Sequence, residues 1–225
     1  MVYLKNYLVI LLLLMTLPLL ATARNDDWRL VWSDEFNTEG RLSPSVWNYE
    51  QGYVRNEEAQ WYQPDNAVCK GGFLVIEARK ERNRQNPLYI PGSNDWRKER
   101  EFIEYTSSSV TTAGKKEFLY GRFEVRARIP VAKGAWPAIW TLGSNMEWPS
   151  CGEIDIMEYY QIKGVPHILA NAAWGTDKQW GLNGIVRPHP ISILRRKIRN
   201  GLPNFTFGGW IGMKKLSNSI WMMNC

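Results

Sequence analysis

Residues 120–130 (YGRFEVRARIP) alternate between apolar and charged side chains, and this period of two is typical of a β-strand with one buried face. Residues 73–79 follow a Gly-Gly turn and predict a second strand, and the β-branched, hydroxyl-rich residues 107–112 predict a third. Residues 79–100 are rich in charge and contain Pro91 and Gly92, so we expect an exposed loop there. Many short strands joined by turns predict an all-β fold, a sandwich or jelly roll, as one domain.

The composition is that of a globular chain with a sizeable core. Of the 225 residues, 44% are apolar and 22% are charged, which argues against disorder. The 12 Trp, 10 Tyr and 7 Phe supply large apolar side chains. Two His and three Cys are too few for a disulfide scaffold or a His/Cys-rich metal protein, so both of these classes are excluded.

The formal charge of +6 would suggest a nucleic-acid partner if the charge lay on a folded surface. Residues 181–225 instead hold seven Lys or Arg and no Asp or Glu, which leaves the first 180 residues with a net charge of −1 (+6 minus +7). We therefore expect no nucleic-acid partner. The composition of the last 45 residues differs from that of the rest of the chain.

The N-terminal residues predict a secretory signal peptide. Lys5 precedes an apolar run over residues 8–20, and the small residues 21–23 (Ala-Thr-Ala) form a cleavage site. A membrane anchor is the alternative, but a spanning helix needs about 20 apolar residues and Pro18 interrupts this shorter run. We expect cleavage after Ala23, a secreted or periplasmic product, and no membrane association once residues 1–23 are removed.

Residues 152–159 (GEIDIMEY) hold three carboxylates separated by apolar residues. Alternate residues of a strand share a face, so Glu153 and Asp155 point the same way while Glu158 would point to the opposite face. A β-bulge at Ile156-Met157 would add one residue and return Glu158 to the side of the other two. The two Glu Cα atoms would then lie roughly 13 Å apart at ~3.3 Å per residue. Leaning side chains could bring the carboxylates to the ~5 Å separation used by retaining glycosidases.

Three carboxylates on one face repel one another, so the pKa of at least one of them rises unless a cation compensates. Sugar hydrolysis needs this combination of one ionised nucleophile and one carboxyl group that is still protonated near neutral pH. The spacing alone leaves two other interpretations open, a solvated strand edge and an oxygen-ligand site for a hard cation.

Three tryptophans precede the three acids in the sequence. Trp136 and Trp140 share a strand face if residues 136–140 are extended, and Trp148 lies between them and the acids. Flat aromatic faces suit the apolar C–H faces of sugar rings, although burial in the core is the commoner use of an indole. Paired indoles beside three carboxylates favour a sugar-binding cleft.

Residues 153–158 resemble the active-site signature of glycoside hydrolase family 16, in the bulged form of its laminarinase-like members. Further segments resemble the family in the same order: 30–36 (LVWSDEF), 47–50 (WNYE), 56–62 (NEEAQWY), 74–79 (LVIEAR), 120–122 (YGR) and 136–140 (WPAIW). The resemblance extends from about residue 28 to about residue 180. It implies a β-jelly roll, a concanavalin-like sandwich of two curved antiparallel sheets, whose concave cleft binds β-glucans or related polysaccharides.

The resemblance also implies the roles of individual residues. Glu153 matches the nucleophile, Glu158 the acid and base, and Asp155 the carboxylate that tunes their protonation. The positions that match substrate-binding residues of the cleft are Asn56, Trp136, Trp140 and Trp148. The implied activity is retaining, endo-acting hydrolysis of 1,3- or 1,3-1,4-linked β-glucan or a related polysaccharide by a secreted monomer without a catalytic cofactor. A structural calcium ion is compatible with the family, but its ligands cannot be named.

Two departures from the family pattern concern specificity. Residues 167–174 (HILANAAW) replace the His-bearing strand that often follows the signature in laminarinases, which puts β-1,3-glucan specificity in doubt. Ser109 stands where many members carry Arg, which leaves the corresponding subsite undefined.

The resemblance stops at about residue 180, and the remaining residues suggest a displaced reading frame. Met and Trp have single codons, so a frame displaced by two nucleotides is partly determined by the protein sequence. In that frame, each new codon joins the last base of one codon to the first two bases of the next. The new codon must then encode Asp at Trp210-Ile211, Trp221-Met222 and Met222-Met223. It must encode Glu at Met213-Lys214 and Met223-Asn224, and Leu at Asn224-Cys225. With permitted codons, residues 197–225 then resemble the family's next strands, in which a Trp-containing strand leads to one that ends in Asp.

We therefore divide the chain into a signal peptide (1–23), the N-terminal part of a family 16 catalytic domain (24–180) and an out-of-frame tail (181–225). A jelly roll without its last strands leaves sheet edges unpaired, so we expect this truncated form to fold poorly or to aggregate. A non-catalytic glucan-binding jelly roll and an inactive gene remnant are the alternatives to an active enzyme. Cys69 and Cys151 are expected to be free thiols, with a bridge between them as the alternative.

Overall fold

The computed structural model describes residues 29–178 and 180–191, together with the backbone of two later strands. The regular structure of the described residues is almost entirely β-strand, apart from a 3₁₀ turn at Pro64–Asn66. The strands in chain order are β1 (Asn48–Tyr49), β2 (Gln60–Tyr62), β3 (Ala67–Cys69), β4 (Leu74–Ile76), β5 (Arg79–Gln85), β6 (Phe102–Ser107), β7 (Val110–Thr111), β8 (Arg122–Phe123), β9 (Ala138–Leu142), β10 (Glu153–Ile162), β11 (Val165–Gly175), β12 (Leu182–Pro190), β13 (Ile211–Leu216) and β14 (Ile220–Asn224).

The largest sheet has the strand order β12-β11-β10-β9, and all of its neighbouring strands are antiparallel. A second sheet has the order β2-β6-β5, in which β2 and β6 run parallel. A third sheet has the order β14-β13-β8, and two further sheets consist of the pairs β3-β4 and β1-β7. The all-β class predicted from the sequence is therefore confirmed.

The core under the largest sheet holds strand β10 in place. Met157 and Tyr159 on β10 and Ile168 on β11 are buried together with Ile191, and Ile139 of β9 packs against them. Because successive side chains of a strand point to opposite faces, burial of this face leaves the acidic side chains of β10 on the other one. The apolar packing thus determines where the carboxylates point.

The predicted strand over residues 73–79 is two strands, because Asn66 interrupts it. The backbone N–H of Glu77 donates to the carbonyl oxygen of Asn66 at 2.8 Å, and the side-chain amide of Asn66 donates to the carbonyl oxygen of Glu77 at 2.8 Å. The side-chain amide of Asn66 thus takes the place of its backbone N–H, which donates to the Gln63 carbonyl oxygen, so the regular ladder between β3 and β4 stops here. Strand β4 therefore ends at Ile76, and β5 begins at Arg79.

The predicted strand over residues 107–112 is also divided, because the chain changes neighbours at residues 108–109. Strand β6 ends at Ser107, whose carbonyl oxygen accepts from Gln63, and β7 begins at Val110 beside β1. Between them, the Ser109 carbonyl oxygen accepts from the backbone N–H of Glu50 at 3.0 Å.

The prediction of a loop over residues 79–100 is wrong for its first third. Strand β5 occupies Arg79–Gln85 and pairs with β6, with its charged side chains largely exposed. The charged residues predicted solvent exposure correctly. An exposed strand carries charged side chains as readily as a loop does, however, and only the hydrogen-bonded pairing of β5 with β6 shows that this segment is a strand. The rest of the segment is non-regular, and the buried Asn86 amide bonds the carbonyl oxygens of Arg97 and Arg100.

Residues 120–130 keep the predicted alternation but form only a short strand. From Phe123 to residue 130, half-buried and exposed side chains alternate without a break. The ladder covers Arg122–Phe123 alone, and the described strands provide no hydrogen-bonded partner for residues 124–130. The alternating pattern therefore predicted correctly which side chains of this segment are half-buried and which are exposed. It did not predict the length of the hydrogen-bonded strand, because that length depends on a neighbouring strand.

Strand β12 falls within residues 181–225, the segment with the foreign composition. It pairs with β11 from Leu182 to Pro190, but the side chains of residues 182–189 are all exposed. It contributes backbone hydrogen bonds and little burial.

Three further predictions relate to the described residues as follows. Cys69 and Cys151 are free thiols, as predicted. The predicted signal peptide lies outside the described residues. Within the described part of the chain, no helix is long and apolar enough to cross a membrane.

Candidate active site

A β-bulge in strand β10 brings the three predicted acids to one face. Asp155 pairs with Trp140 on β9 and the next pair on that side is Met157 with Ile139, so Ile156 is the additional residue. On the other side, the register shifts between Asp155 and Glu158. The bulge predicted at Ile156-Met157 is confirmed, and Glu158 joins Glu153 and Asp155 on the open face of the sheet.

Each of the two glutamates accepts a hydrogen bond from an indole. Trp136 Nε1 donates to Glu158 Oε1 at 2.8 Å, and Trp148 Nε1 donates to Glu153 Oε2 at 2.7 Å. Both indoles remain about half exposed, with relative accessibilities of 50% and 45%. Trp136 also makes an edge-to-face contact with Tyr160 on β10, with ring centroids 6.3 Å apart. The indoles therefore orient the acids while their rings stay accessible to a ligand.

A buried amide from strand β11 completes the acidic cluster. Asn171 lies directly across the ladder from Asp155, and its Nδ2 donates to Glu158 Oε2. Trp140, Asp155 and Asn171 consequently form one row across β9, β10 and β11. Both carboxylate oxygens of Glu158 accept a hydrogen bond, one from an indole and one from an amide.

Burial and mutual repulsion separate the acids electrostatically. Burial raises the pKa of Asp155 from 3.8 to about 7, and the negative charges of Glu158 and Glu153 add to the rise. Burial also raises the pKa of Glu158, and the hydrogen bonds from Trp136 and Asn171 oppose this rise because they stabilise the carboxylate. A proton on Asp155 near neutral pH relieves the repulsion within the cluster.

The raised pKa of Asp155 makes the stability of the fold depend on pH. The unfolded chain ionises this carboxyl group near pH 4 and the folded chain near pH 7, so the free energy of unfolding falls as the pH rises through this window. We expect Asp155→Asn to raise the thermal midpoint at pH 8 by about 5 °C and to change it little at pH 4. Asp177→Asn, at an exposed position, serves as the control and should keep the parent's pH dependence. An equal gain from Asp155→Asn at both pH values would contradict the linkage.

The other predicted binding residues are linked by an arginine. The guanidinium carbon of Arg55 lies 5.2 Å from the ring centroid of Trp140, and Asn56 is the next residue, exposed and with a positive φ of 53°. Arg55 donates to both oxygens of Glu50, and Ser109 Oγ donates to Glu50 Oε2. Among the described residues, the printed donors to the two glutamates are Trp136, Trp148 and Asn171, and Asn56 is related to Trp140 only as the chain neighbour of Arg55. Arg55 supplies a guanidinium to the region in which Ser109 replaces the family's Arg.

Sequence reasoning missed Asn171 and the Arg55–Glu50 pair. Asn171 falls in the 167–174 segment that was noted only as a departure from the family. Pairing β10 with β11 by their hydrophobic patterns would have placed an amide opposite the acids, but the bulge makes that register ambiguous. Arg55 bonds Glu50, five residues earlier, and Glu50 in turn accepts from Ser109, 59 residues further along the chain. No sequence pattern signals these contacts.

Metal ligation is the remaining chemical alternative for the acids. Among the described residues, no group of three or more His, Cys, Asp or Glu side chains is arranged to hold a metal ion. The acidic face contains two glutamates that each accept a hydrogen bond from a different indole, Asp155 with a raised pKa between them, and the two accessible rings of Trp136 and Trp148.

Comparisons with known proteins agree with this arrangement. A family model described as "XgeA-like, catalytic GH16 domain" matches residues 94–169. The β-glucanase of Rhodothermus marinus is 43% identical over 142 residues, covering 59% of this chain and 44% of that protein. The laminarinase catalytic domain of Thermotoga maritima MSB8 is 32% identical with a TM-score of 0.60, covering 87% of this chain and 74% of that one.

A second similar structure comes from work on endo-acting O-glycanases of the human gut microbiota that initiate mucin breakdown. It is 38% identical with a TM-score of 0.66, covering 76% of this chain and 62% of that chain. These relatives define the class, glycosidases on an all-β scaffold. The chain belongs to glycoside hydrolase family 16 and has the β-jelly-roll fold of that family. It spans less than half the length of the Rhodothermus β-glucanase and less than two thirds of the O-glycanase-related structure.

Proposed function

We propose that this chain is a retaining, endo-acting glycoside hydrolase of β-linked polysaccharides, with Glu153 as nucleophile and Glu158 as acid and base. The observation that carries the proposal is the bulge in β10, which sets both glutamates and Asp155 on one open face while each glutamate accepts a separate indole N–H. A solvated strand edge would not need a bulge, and it would not need a donor for each acid.

In the first step, a carboxylate oxygen of Glu153 attacks the anomeric carbon of the sugar, and the bond to the leaving oxygen breaks. Trp148 holds Oε2 of Glu153, which leaves Oε1 as the attacking atom. Glu158 transfers its proton to the leaving oxygen, so the released sugar ends in a hydroxyl group and Glu158 becomes a carboxylate. The product of this step is a covalent glycosyl ester on Glu153.

In the second step, the carboxylate of Glu158 removes a proton from water, and the water oxygen attacks the anomeric carbon of the ester. The bond to Glu153 breaks, so the nucleophile returns as a carboxylate and the acid regains its proton. Hydrogen bonds from Trp136 and Asn171 stabilise Glu158 in the ionised form that this step needs. Asp155 carries a proton near neutral pH and limits the negative charge between the two glutamates.

The substrate proposed is a 1,3- or 1,3-1,4-linked β-glucan or a related polysaccharide. The accessible rings of Trp136 and Trp148 offer apolar faces for sugar rings. Trp140 is half-buried next to the Arg55 guanidinium, and Asn56 adds an exposed amide. The β-glucanase and laminarinase among the relatives favour glucans, while the relative associated with O-glycanases favours a related glycan.

A secreted or periplasmic location and a monomeric state complete the proposal. The support for secretion is the N-terminal sequence, with Lys5, the apolar residues 8–20 and the small residues 21–23.

Release of reducing ends from a panel of polysaccharides tests the proposal. Laminarin, mixed-linkage β-glucan, agarose and carrageenan are compared, using the version of the chain whose tail is read in the displaced frame. We expect release from laminarin, mixed-linkage glucan or both, with a rapid loss of viscosity that indicates internal cleavage. Binding to a glucan without any reducing-end release would instead indicate a non-catalytic binding module. Release from agarose or carrageenan alone would keep the enzyme class and exclude the proposed substrate.

A further inference from the structure

Asn171 occupies a central position in the acidic face. It lies on β11 directly opposite Asp155, and only about a tenth of its surface is accessible. The register shift in β10 places Glu158 on the same face, so a single amide on β11 reaches two carboxylates that are separated by the bulge.

The orientation of this amide favours the carboxylates. Nδ2 donates to Glu158 Oε2, and the same amide opposes the rise in the pKa of Asp155. Oδ1 is buried and, within the described part of the chain, accepts no hydrogen bond. The reverse orientation would turn Oδ1 toward oxygens that cannot donate when ionised.

A buried acceptor without a donor destabilises a fold, and such atoms are uncommon in native proteins. A side chain without polar atoms would avoid this cost at the same volume. The fold itself therefore gains little from an amide at this position, whereas the acidic cluster gains a donor.

We propose that Asn171 is a positioning residue that holds Glu158 in the orientation and ionisation state required of the acid and base. The catalytic part of this inference rests on the proposed function, because it takes Glu158 as the proton donor and acceptor. The contact of Asn171 with Glu158 exists independently of that role.

The effect on the pH dependence follows from the groups around Glu158. Its ionisable neighbours are Asp155, Glu153 and Tyr160, all on β10, since β9 has no ionisable side chain and His167 of β11 bonds the Val165 carbonyl oxygen. Trp136 donates the remaining hydrogen bond. Removing the Asn171 donor leaves the neighbouring negative charges in place and destabilises the Glu158 carboxylate, so its pKa rises.

The experiment compares Asn171→Leu, which keeps the approximate volume and lacks a donor, with the parent 225-residue chain. The pKa of Glu158 is measured by NMR titration with ¹³C-labelled glutamate, and Glu158→Gln identifies its resonance. We expect Asn171→Leu to raise the pKa of Glu158 by about one unit, a tenfold change in acidity, with an unchanged or higher thermal midpoint. Thr141→Val on β9 is the matched polar-to-apolar control, and it should leave the pKa of Glu158 unchanged.

Two results would overturn the proposal: a shift in the pKa of Glu158 below about 0.3 unit, or an equal shift in the Thr141→Val control. If Asn171→Leu lowers the thermal midpoint strongly, Asn171→Ala is titrated in its place, with the same pKa shift expected. The same variants are also compared in a version of the chain in which residues 181–225 are translated in the displaced frame. Poor solubility of the 225-residue parent then does not prevent the measurement.

Kinetics separate this proposal from the proposed function. In Asn171→Leu, the alkaline limb of kcat/KM should move to higher pH by the same amount as the pKa of Glu158, and kcat should fall more than KM changes. A raised pKa in a chain that hydrolyses no polysaccharide would support the contact and contradict the enzyme. If Asn171→Leu hydrolyses the polysaccharide and the alkaline limb of its kcat/KM profile does not shift, the result would support the proposed enzyme activity and contradict the role of Asn171.

Discussion

We expect Glu153→Gln to lower kcat by at least about 10⁴-fold and to leave polysaccharide binding nearly unchanged. The amide cannot form the glycosyl ester, but its oxygen can still accept the hydrogen bond from Trp148 that orients the parent carboxylate. Binding through the aromatic faces does not depend on the charge of Glu153. Reducing-end assays and isothermal titration with the same oligosaccharide measure the two effects separately.

Glu158→Gln should lower kcat by about 10² to 10⁴-fold on polysaccharides, because the leaving oxygen is no longer protonated. With an aryl glycoside that has an acidic phenol as leaving group, the first step needs little protonation, and a burst of phenol should precede slow turnover. Glu147→Gln is the matched control, since Glu147 is exposed and lies six residues before Glu153. A loss from Glu147→Gln as large as that from Glu153→Gln would contradict the assignment.

We propose that residues 181–225 are encoded in a displaced reading frame, and restoring the frame is expected to have the second large effect. The forced Asp, Glu and Leu residues of the other frame, the absence of acids from the segment and the resemblance of its alternative translation to later family strands support this proposal. The exposed side chains of β12 are consistent with it, as is the alternation of residues 124–130 without a ladder partner among the described strands.

A version whose codons are read two nucleotides displaced from Leu182 onward should be more soluble and more active. Strands added beside residues 124–130 would pair an open sheet edge and bury the half-exposed side chains that alternate there. We expect the thermal midpoint to rise by about 10 °C or more, and specific activity on the preferred glucan to increase by at least about tenfold.

The DNA sequence across codons 178–184 provides the control for this prediction. Nucleotides that are incompatible with the shifted translation would contradict the frameshift, whatever the stability of the restored version. A restored chain with the same midpoint, solubility and activity as the 225-residue chain would contradict the structural reasoning while leaving the frame itself possible.

Sequence alone predicted the all-β class, the bulge and the acidic face, because each depends on local periodicity. Three acids with apolar residues between them can share a face of β10 only if one residue is added, and the structure has that residue at Ile156. The faces of residues 123–130 were predictable for the same reason, since alternation reports burial directly.

The positions of strand ends and the partners of the acids were not predictable in this way. Strand β4 ends because the side-chain amide of Asn66, eleven residues before Glu77, bonds the Glu77 carbonyl oxygen in place of a backbone N–H. A propensity argument cannot include such a contact. Asn171 reaches Glu158 only through the shifted register of two strands. The guanidinium beside Trp140 comes from Arg55, far from Trp140 in the chain, and it depends on long-range packing alone.

The proposed reaction, double displacement at a β-glycosidic bond by Glu153 and Glu158, has a stereochemical consequence that can be observed. The most direct measurement is the configuration of the first-formed reducing end, observed by ¹H NMR within minutes of adding enzyme to the polysaccharide of the panel that is cleaved fastest. Two successive inversions at the anomeric carbon predict that the β-anomer is formed first and then converts slowly to the equilibrium mixture. Initial formation of the α-anomer would contradict the account, because it would require a single displacement by water in place of a glycosyl ester on Glu153.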